Sequence, residues 1–595
     1  MVMITLSQLA IIVILSAVLI LFVWGKWRYD VVAMMALFAS VIAGVVPADR
    51  VFEGFGHPAT LTVAIVLILS YGLTKSGAVE GVTSLVEPLS DRPSLHIAAL
   101  IFIAAFLSMF MNNVGALALL MPVAIHSTVS AGRSPSTVLM PLSFGSILGG
   151  LVTLIGTPPN IIIASYRAQV AGTPYNMFDF APVGGAIAAA GILFMAIIGW
   201  RLVPVRRTNA GTSLFEIDSY FFEVKVAKDS AVVGKTVKEL EDMIHGFDIT
   251  LAGLTHKKQY YPVPPKRHLL AASDVCVLEG SQEDIDKFVS EHKVVLLNVD
   301  NAKQALQRKD TITMEVVVAP GSAIEGKTVQ KIRFRANYGL NLLAVSHEGK
   351  SKQGRLRHVQ VSAGDVLLIH GEKDDIEEAI TKMGCFPLAR RGIDFGKRKH
   401  GFTALGIFAF AIALAGFGVL PIQISLGGAV VAMAIMNIIP VRELYDGVDW
   451  PVIVLLGAMI PVGGALESTG ATQLIAKGLL SVAGDAHMVV ILVAVLVITM
   501  TLSDILNNAA TAILMAPIAK TIAQTSGVSP DPFLMAVAVG ASCAFLTPIG
   551  HQNNALVMGP GGYKFGDYWR VGLPLEVIIV AVAVPIILIV WPLHT

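Results

Sequence analysis

Two short polar motifs recur inside otherwise apolar stretches of this chain, and both have the composition of ion-binding elements. The first is a pair of asparagines: Asn112-Asn113 followed by Pro122, and Asn507-Asn508 followed by Pro517. An asparagine carboxamide offers an acceptor oxygen and two donor hydrogens, and the residue tolerates backbone angles that others avoid. Polar pairs placed this way in apolar surroundings read as a cradle for an ion or solute, and the competing reading is that they only cap half-helices. The second motif interrupts a helix. In Gly156-Thr157-Pro158-Pro159-Asn160 two consecutive prolines cannot continue a helix interior without cost. Its later partner is Thr547-Pro548-Ile549-Gly550-His551-Gln552-Asn553-Asn554, and a simple kink is the bland alternative for each. His551 has three readings: a hydrogen-bond donor to an anion, a carrier of a coupling proton, or a structural histidine. Asp504, just before the second pair, either assists a cation or caps the turn. No Arg or Lys lies in these four segments, so an anion there would be held by helix N-termini, amides and co-bound cations, which favours cation coupling. Arg167, past the first break, reads as a solvated charge.

The elements that position these motifs are membrane helices. The 595 residues are 54% hydrophobic and 14% charged, against about 25% charged in soluble domains. Mean hydropathy is +0.71. A spanning helix needs about 20 mostly apolar residues. Candidate spans are 4–23, 30–46, 58–75, 136–165 and 182–201, then 402–419, 423–439, 451–467, 532–558 and 572–593. The stretches 96–127 and 487–523, each broken by an asparagine pair, read as re-entrant hairpins, since non-helical backbone at membrane depth survives only where protein or water covers it. The first run, from Ile4, has no basic region before it and is longer than a signal-peptide core, so it reads as a retained helix.

The two halves repeat each other. Pro47 to Gly54 matches Pro440 to Gly447, the asparagine pairs match, Asn160 matches Asn554, and Tyr175 and Asp179 match Tyr563 and Asp567, all in one order at a nearly constant separation. Five crossings plus a hairpin is an odd count, so the halves are expected to be inverted relative to each other. Lys26, Arg28, Lys75, Arg201, Arg206, Arg207, Lys397, Arg398, Lys399, Lys564 and Arg570 then share one side, the cytoplasmic one, with Arg50 and Arg167 as outer exceptions. The fold class expected is an all-α polytopic protein of two inverted repeats, each with five transmembrane helices and one hairpin, in the plasma membrane with both termini outside. The division expected is 1–205 and 396–595 for the membrane repeats, with an insert of two units at 206–302 and 303–395.

The insert shows strand-like alternation, as in Met314-Glu315-Val316-Val317-Val318, and is itself duplicated. Gly234-Lys235-Thr236-Val237 recurs as Gly326-Lys327-Thr328-Val329, and Asp274 to Gly280 recurs as Asp365 to Gly371. The Gly-Lys-Thr triplets lack the preceding glycine of a phosphate loop and read instead as helix starts after strands. No nucleophilic triad or metal-ligand cluster stands out, so the chain does not read as an enzyme. Its net charge of +1 gives no case for a nucleic-acid partner. Cys276, Cys385 and Cys543 are too scattered for a disulfide framework and read as buried hydrophobes.

At these motifs the sequence resembles the divalent-anion/sodium symporter (DASS) family of the ion-transporter superfamily, over both membrane halves. That family's hairpin signature is Ser-Asn-Thr; here Asn112-Asn113-Val114 and Asn507-Asn508-Ala509 keep the central asparagine and lose both neighbours. The first loop matches the family's Gly-[Ser/Thr]-Pro-Pro-Asn closely. The second, with Gly559-Pro560-Gly561-Gly562-Tyr563 after it, is similar to a sulfate-transporter-like branch carrying a soluble insert. The insert resembles two C-terminal subdomains of regulator-of-K⁺-conductance (RCK) domains. The resemblance implies Na⁺ as coupling ion at two sites, one at Asn112, Asn113 and Gly156, the other at Asn507, Asn508 and Gly550. It implies substrate near Asn113, Thr157, Pro158, Asn508, His551 and Gln552. It also implies a homodimer, an elevator-like movement and a nucleotide or other small ligand at 212–392. The lost threonines favour sulfate over a C4-dicarboxylate. A membrane-embedded anion sensor and an arsenite-type efflux permease are the alternatives.

Overall fold

The computed structural model describes residues 4–24, 26–76, 89, 92–206, 221–244, 247, 249–257, 259–261, 264–279, 282–297, 311–347, 350–352, 356–388, 401–483 and 487–594. Arg207, Lys397, Arg398 and Lys399, and the expected junctions at 302/303 and 395/396, lie outside them. The chain is a mostly helical, multi-span membrane protein with an inserted α+β region. Among the described residues six helices are long and apolar enough to cross a bilayer by themselves.

Before the insert run α1 (Leu6–Trp24), α2 (Tyr29–Ile42), α3 (Pro58–Lys75), α4 (Pro93–Ser108), α5 (Asn113–Ser130), α6 (Ser136–Gly150), α7 (Pro158–Ala171) and α8 (Ala181–Phe194, continued to Leu202 through a π-turn). After it, following the insert helices α9 (Val237–Ile244), α10 (Gln282–His292) and α11 (Lys373–Met383), come α12 (Gly401–Gly416), α13 (Ile422–Ile435), α14 (Trp450–Ser468), α15 (Ala471–Ala483), α16 (Met488–Ser503), α17 (Asn508–Thr525), α18 (Asp531–Ser542), α19 (Gln552–Gly561) and α20 (Trp569–Val590). Proline stands in the first turn of α3, α4, α7, α8, α14 and α18, where its missing N–H would have had no helical partner.

Both asparagine pairs sit at hairpin turns, α4 to α5 and α16 to α17. Each arm is longer than a half-helix: the second arms run for 18 residues straight through Pro122 and Pro517. The expected spans 136–165 and 532–558 are each two helices, α6 and α7, and α18 and α19. α15 was not expected, because Thr472, Gln473 and Lys477 break its apolar run.

The halves interleave. α4 packs on α6 and α16 on α18; α7 lies on α17 and α18, and α19 on α5 and α6. The cross-links come in matching pairs. The Tyr175 hydroxyl donates to Asp531 at the start of α18, and that of Tyr563 to the Ser136 carbonyl at the start of α6. Asp179 accepts from its own loop at Asn176 N (2.7 Å), as Asp567 does at Lys564 N (2.8 Å). Gly54 presses against the Gly457 backbone of α14, and Gly447 against Leu67 and Tyr71 of α3. Residues such as Leu6, Val13, Phe402 and Ile435 leave large apolar side chains exposed around the outside, as lipid-facing helices do.

The insert holds two five-stranded antiparallel sheets. Their strands are β1 (Phe221–Lys225), β2 (Thr250–His256), β3 (Gln259–Tyr261), β4 (Val275–Glu279) and β5 (Val295–Leu296), then β6 (Thr311–Val318), β7 (Asn341–His347), β8 (Lys350–Lys352), β9 (Val366–Glu372) and β10 (Cys385–Pro387). The order is β3-β2-β4-β1-β5 in one and β8-β7-β9-β6-β10 in the other, the same path twice. Even the irregularity in register repeats, at Leu251/Gly253 and Leu342/Ala344. Gly234 and Gly326 turn the chain at φ +80° and +74°, and helical residues begin at Val237 and Val329, as the sequence suggested. Arg335 of the second unit donates to Glu241 and to the Pro264 carbonyl of the first. All three cysteines are free and buried, and burial pushes the thiols of Cys276 and Cys385 up to about 12. The second unit reaches the membrane half: Gly364, at φ +83°, meets the backbone of Ala555 and Gly559 in α19 so closely that a Cβ on either glycine would overlap it.

Candidate functional site

The first asparagine of each pair is a helix cap. Asn112 Oδ1 accepts from Val114 N (3.1 Å) and Asn507 Oδ1 from Ala509 N (2.9 Å), satisfying donors at the starts of α5 and α17. The second of each pair turns to its own hairpin, where Ser108 Oγ donates to Asn113 Oδ1 (2.5 Å) and Ser503 Oγ to Asn508 Oδ1 (2.9 Å).

The two broken loops are tied by the asparagine that follows each. Asn160 Nδ2 donates to the carbonyls of Gly150, Leu151 and Thr153; Asn554 Nδ2 donates to those of Ala544 and Thr547. These bonds satisfy carbonyls that a helix end leaves free. Glycines bring loops and tips together. A Cβ at Gly150 would lie 2.5 Å from Asn113 Oδ1, one at Gly156 would lie 2.5 Å from Gly150 O, and one at Gly550 would lie 2.8 Å from Ser503 O.

The halves meet at Asn113. Its carboxamide lies 3.2 Å from His551 Nε2, and its carbonyl accepts from Asn553 Nδ2 (3.3 Å) and Ser146 Oγ (2.8 Å). His551 caps α19 by accepting Asn553 N at Nδ1 (3.1 Å). A neutral imidazole has one N–H, so with Nδ1 accepting, that proton sits on Nε2 and faces a second donor, Asn113 Nδ2, with no acceptor between them. Deeper in, Asn554 Oδ1 accepts from Ser143 Oγ (2.7 Å), and Phe144 packs edge-on against Phe545 at 4.9 Å. The starts of α5 and α19 thus adjoin, the loop before α7 reaches Asn113 through Gly150 and Gly156, and α17 packs on α7.

Of the expected residues, Asn113, Gly156, Gly550 and His551 are buried and linked in this way. Thr157 is buried and caps α7 without using its hydroxyl there, and Pro158 opens that helix. Gln552 points elsewhere, its side chain toward Asp449 at the start of α14. Asn508 bonds its own hairpin. Arg167 is not a solvated charge. It forms a two-pronged pair with Asp531 (2.7 and 2.9 Å) and stacks on Tyr175 and Trp591, because the Tyr175 ring and α18 close over it.

Several residues beyond the expected set stand at the site, some of them already named in the sequence motifs. Asn160 Oδ1 and Asn553 Oδ1 are buried with no hydrogen-bond partner, so both are free oxygen donors beside the loops. Ser108 stands five residues before buried Asn113 and Ser503 five before half-buried Asn508, a duplicated spacing that was available as a signal. Asp504 fastens the second loop, accepting Leu546 N at Oδ1 (2.9 Å) and Thr547 Oγ1 at its carbonyl (2.6 Å). Glu576 of α20 lies against it, and Asp504 Oδ2 and Glu576 Oε1 have no donor. Two carboxylates held together away from water need a proton or a cation between them. Met109 occupies the corresponding place in the first half.

A family profile described as "Citrate transporter" (CitMHS) matches residues 19–540 and 492–594. The chain is 30% identical to an uncharacterized transporter, sll0640, of Synechocystis sp., across 94% of this chain and 93% of that one. It is 28% identical to the uncharacterized transporter YfbS of Escherichia coli, across 97% and 98%. It is 25% identical to sodium/sulfate cotransporter 2 of Chlamydomonas reinhardtii, across 56% of this chain and 40% of that protein. Among solved structures, the YdaH transporter of Alcanivorax borkumensis aligns at TM-score 0.42 with 13% identity, covering 97% of this chain and 100% of that one.

Proposed function

This chain belongs to the citrate transporter family of secondary transporters, and from that premise we propose that it imports a small divalent anion with sodium, sulfate in preference to a C4-dicarboxylate. The observation that carries this is the joining of the first hairpin tip to the second broken loop through Asn113, His551 and Asn553. Transport needs a solute site shared by two parts that can move relative to each other. Here the shared site is walled by helix N-termini, amides and one imidazole N–H, with no fixed cation. Helix N-termini attract an anion. The unpartnered oxygens of Asn160 and Asn553 suit a hard cation such as Na⁺, which takes oxygen ligands.

Asn113 with the Gly156 loop would hold one sodium ion, and Asn508 with the Gly550 loop the other. Asn112 and Asn507 contribute as caps that aim the tips. Substrate lies near Thr157 and His551, where the imidazole N–H and the Asn113 Nδ2 hydrogens both face an anion oxygen. The matched cross-links between the halves support two repeats of inverted orientation. Depth supports a central site as well. His551 precedes Gly559, which touches the insert, by eight residues, about 12 Å of helix, and half of a ~30 Å hydrocarbon core is ~15 Å. The repeated sheets support an insert of two RCK-C-like units on the cytoplasmic side that tune activity, in a homodimer whose site-bearing parts travel as an elevator.

The Asp504–Glu576 pair favours a second reading, in which a proton replaces the sodium ion of the second half. Uptake of labelled sulfate, succinate and citrate into proteoliposomes decides, with a sodium gradient, a pH gradient or neither. Sulfate uptake driven by sodium is the expected result. Uptake driven by the pH gradient alone assigns the proton, and uptake indifferent to both ends the coupling claim. Binding of an anion with no flux at all would favour a sensor.

A further inference from the structure

We propose that the first unit of the insert carries a binding site for a borderline transition-metal ion such as Zn²⁺, formed by His256, His268 and Asp274. One ligand atom from each of the three lies within 4.8 Å of the other two. His256 ends β2, Asp274 precedes β4, and His268 sits on the loop between them. Asp274 is held ready: its Oδ2 accepts Ala271 N (2.9 Å), which turns Oδ1 toward His256 Nδ1 at 2.8 Å. The two rings of His256 and His268 are 4.8 Å apart and nearly perpendicular. His268 Nε2 is buried and has no hydrogen-bond partner. A buried polar atom left this way costs about 1–3 kcal/mol, and a metal ion would satisfy it.

The second unit supplies the internal comparison. It repeats the lock, with His347 Nδ1 at 2.6 Å from Asp365 Oδ1 and Asp365 Oδ2 accepting Ser362 N (2.8 Å). That lock is therefore a shared structural feature of both sheets. The third ligand is not shared. Val237 N donates to the carbonyl of His268 (2.9 Å) in the first unit, and Val329 N to that of Val359 (3.1 Å) in the second, so His268 and Val359 are structural equivalents. The first unit alone has placed an imidazole where its sister keeps a valine.

Two imidazoles and a carboxylate are the donor set that zinc and its late first-row neighbours take, with an open position left for water or a further ligand. Zinc ligands at about 2.0–2.2 Å lie roughly 3.3 Å from one another, so the ion would replace the proton between His256 and Asp274, open that pair slightly, and draw in His268. Binding thus needs both imidazoles neutral, with the His256 proton moved from Nδ1 to Nε2. The loop that carries His268 also carries Pro264, whose carbonyl Arg335 of the second unit holds, so the bound ion would stiffen the joint between the units.

The test uses the full-length, tag-free protein, stripped with a chelator and titrated with Zn²⁺ against a chromophoric competitor. One equivalent per chain at micromolar or tighter affinity is expected, with absorption-edge spectra showing two imidazole nitrogens. His268→Val, which installs the sister unit's own residue, should weaken binding at least tenfold without lowering the melting temperature of the metal-free protein. His256→Gln, which keeps a hydrogen bond to Asp274, gives the same test should that variant fold poorly. Val359→His should add a second equivalent. Equal binding by wild-type and His268→Val, or no added equivalent in Val359→His, overturns the proposal.

Discussion

Gly150→Ala reaches the proposed ion cradle without deleting a polar group, which makes its effect calculable. A methyl at Gly150 would lie 2.5 Å from Asn113 Oδ1, 3.1 Å from Asn113 Nδ2 and 3.1 Å from Gly156 O. To regain ordinary van der Waals spacing the amide must withdraw by roughly 1 Å. That movement breaks a 3.2 Å contact with His551 and a short bond from Ser108. Overpacking of this kind costs about 1–3 kcal/mol. If that cost falls on the ion-loaded geometry, the half-saturating sodium concentration for uptake rises about 5- to 150-fold. Gly185→Ala is the matched control. It lies in α8 with nothing within 4 Å of its added methyl, and should be neutral or stabilising by up to about 1 kcal/mol. Both variants are reconstituted at equal protein density and assayed for sodium dependence and maximal rate. A Gly150→Ala transporter with wild-type half-saturation would refute the placement of Asn113 in the cation site.

Arg167→Ala should lower the melting temperature by the equivalent of about 2–4 kcal/mol, since Asp531 would be left half-buried without its cation; the charge swap Arg167→Asp with Asp531→Arg should recover part of it in a differential scanning measurement. Gly559→Ala places a methyl on the Gly364 carbonyl, so limited proteolysis should cut faster in residues 356–365 while membrane insertion is unchanged. His370, buried in β9, has its basicity lowered to about 4 by desolvation. The unfolded chain therefore binds a proton near pH 6.5 that the folded unit refuses. Stability is intact at neutral pH, falls as pH drops from about 6.5 to 4, and stays lowered below that, by about 3 kcal/mol at most. Hydrogen exchange in β9 at pH 7 and pH 5 should show the loss, and His370→Gln should flatten it.

The membrane elements were legible because lipid imposes one rule on them. Runs of about 20 apolar residues set off by proline gave α3 and α14 almost to the residue, and the asparagine pairs marked both hairpin turns. α15 was illegible because its polar face, with Thr472, Gln473 and Lys477, hides a helix too short to register by hydropathy. The candidate site was half legible. Duplication pointed to Asn113 and Asn508, yet nothing local separates the capping asparagine from the inward one. Contacts across the halves, such as Asn113 with His551 and Arg167 with Asp531, join residues hundreds of positions apart and leave no mark on spacing. Gln552 looked like part of the cradle because it adjoins His551, but the first turn of α19 sends its side chain to Asp449. In the insert, the repeated Gly-Lys-Thr and Asp-Val strings predicted two copies of one unit, and the sheet order bears the same duplication.

The backbone seating of Gly364 on α19 has a mechanical consequence. A helix whose start is proposed to hold the solute is loaded at its other end by a folded mass, so it cannot travel as a free rod. Either the second unit is carried along, dragging its neighbour through Arg335, or the glycine seat slides. The first makes the insert a passenger whose contacts and partners limit the stroke. The second makes it a bearing that stays put while the rod moves.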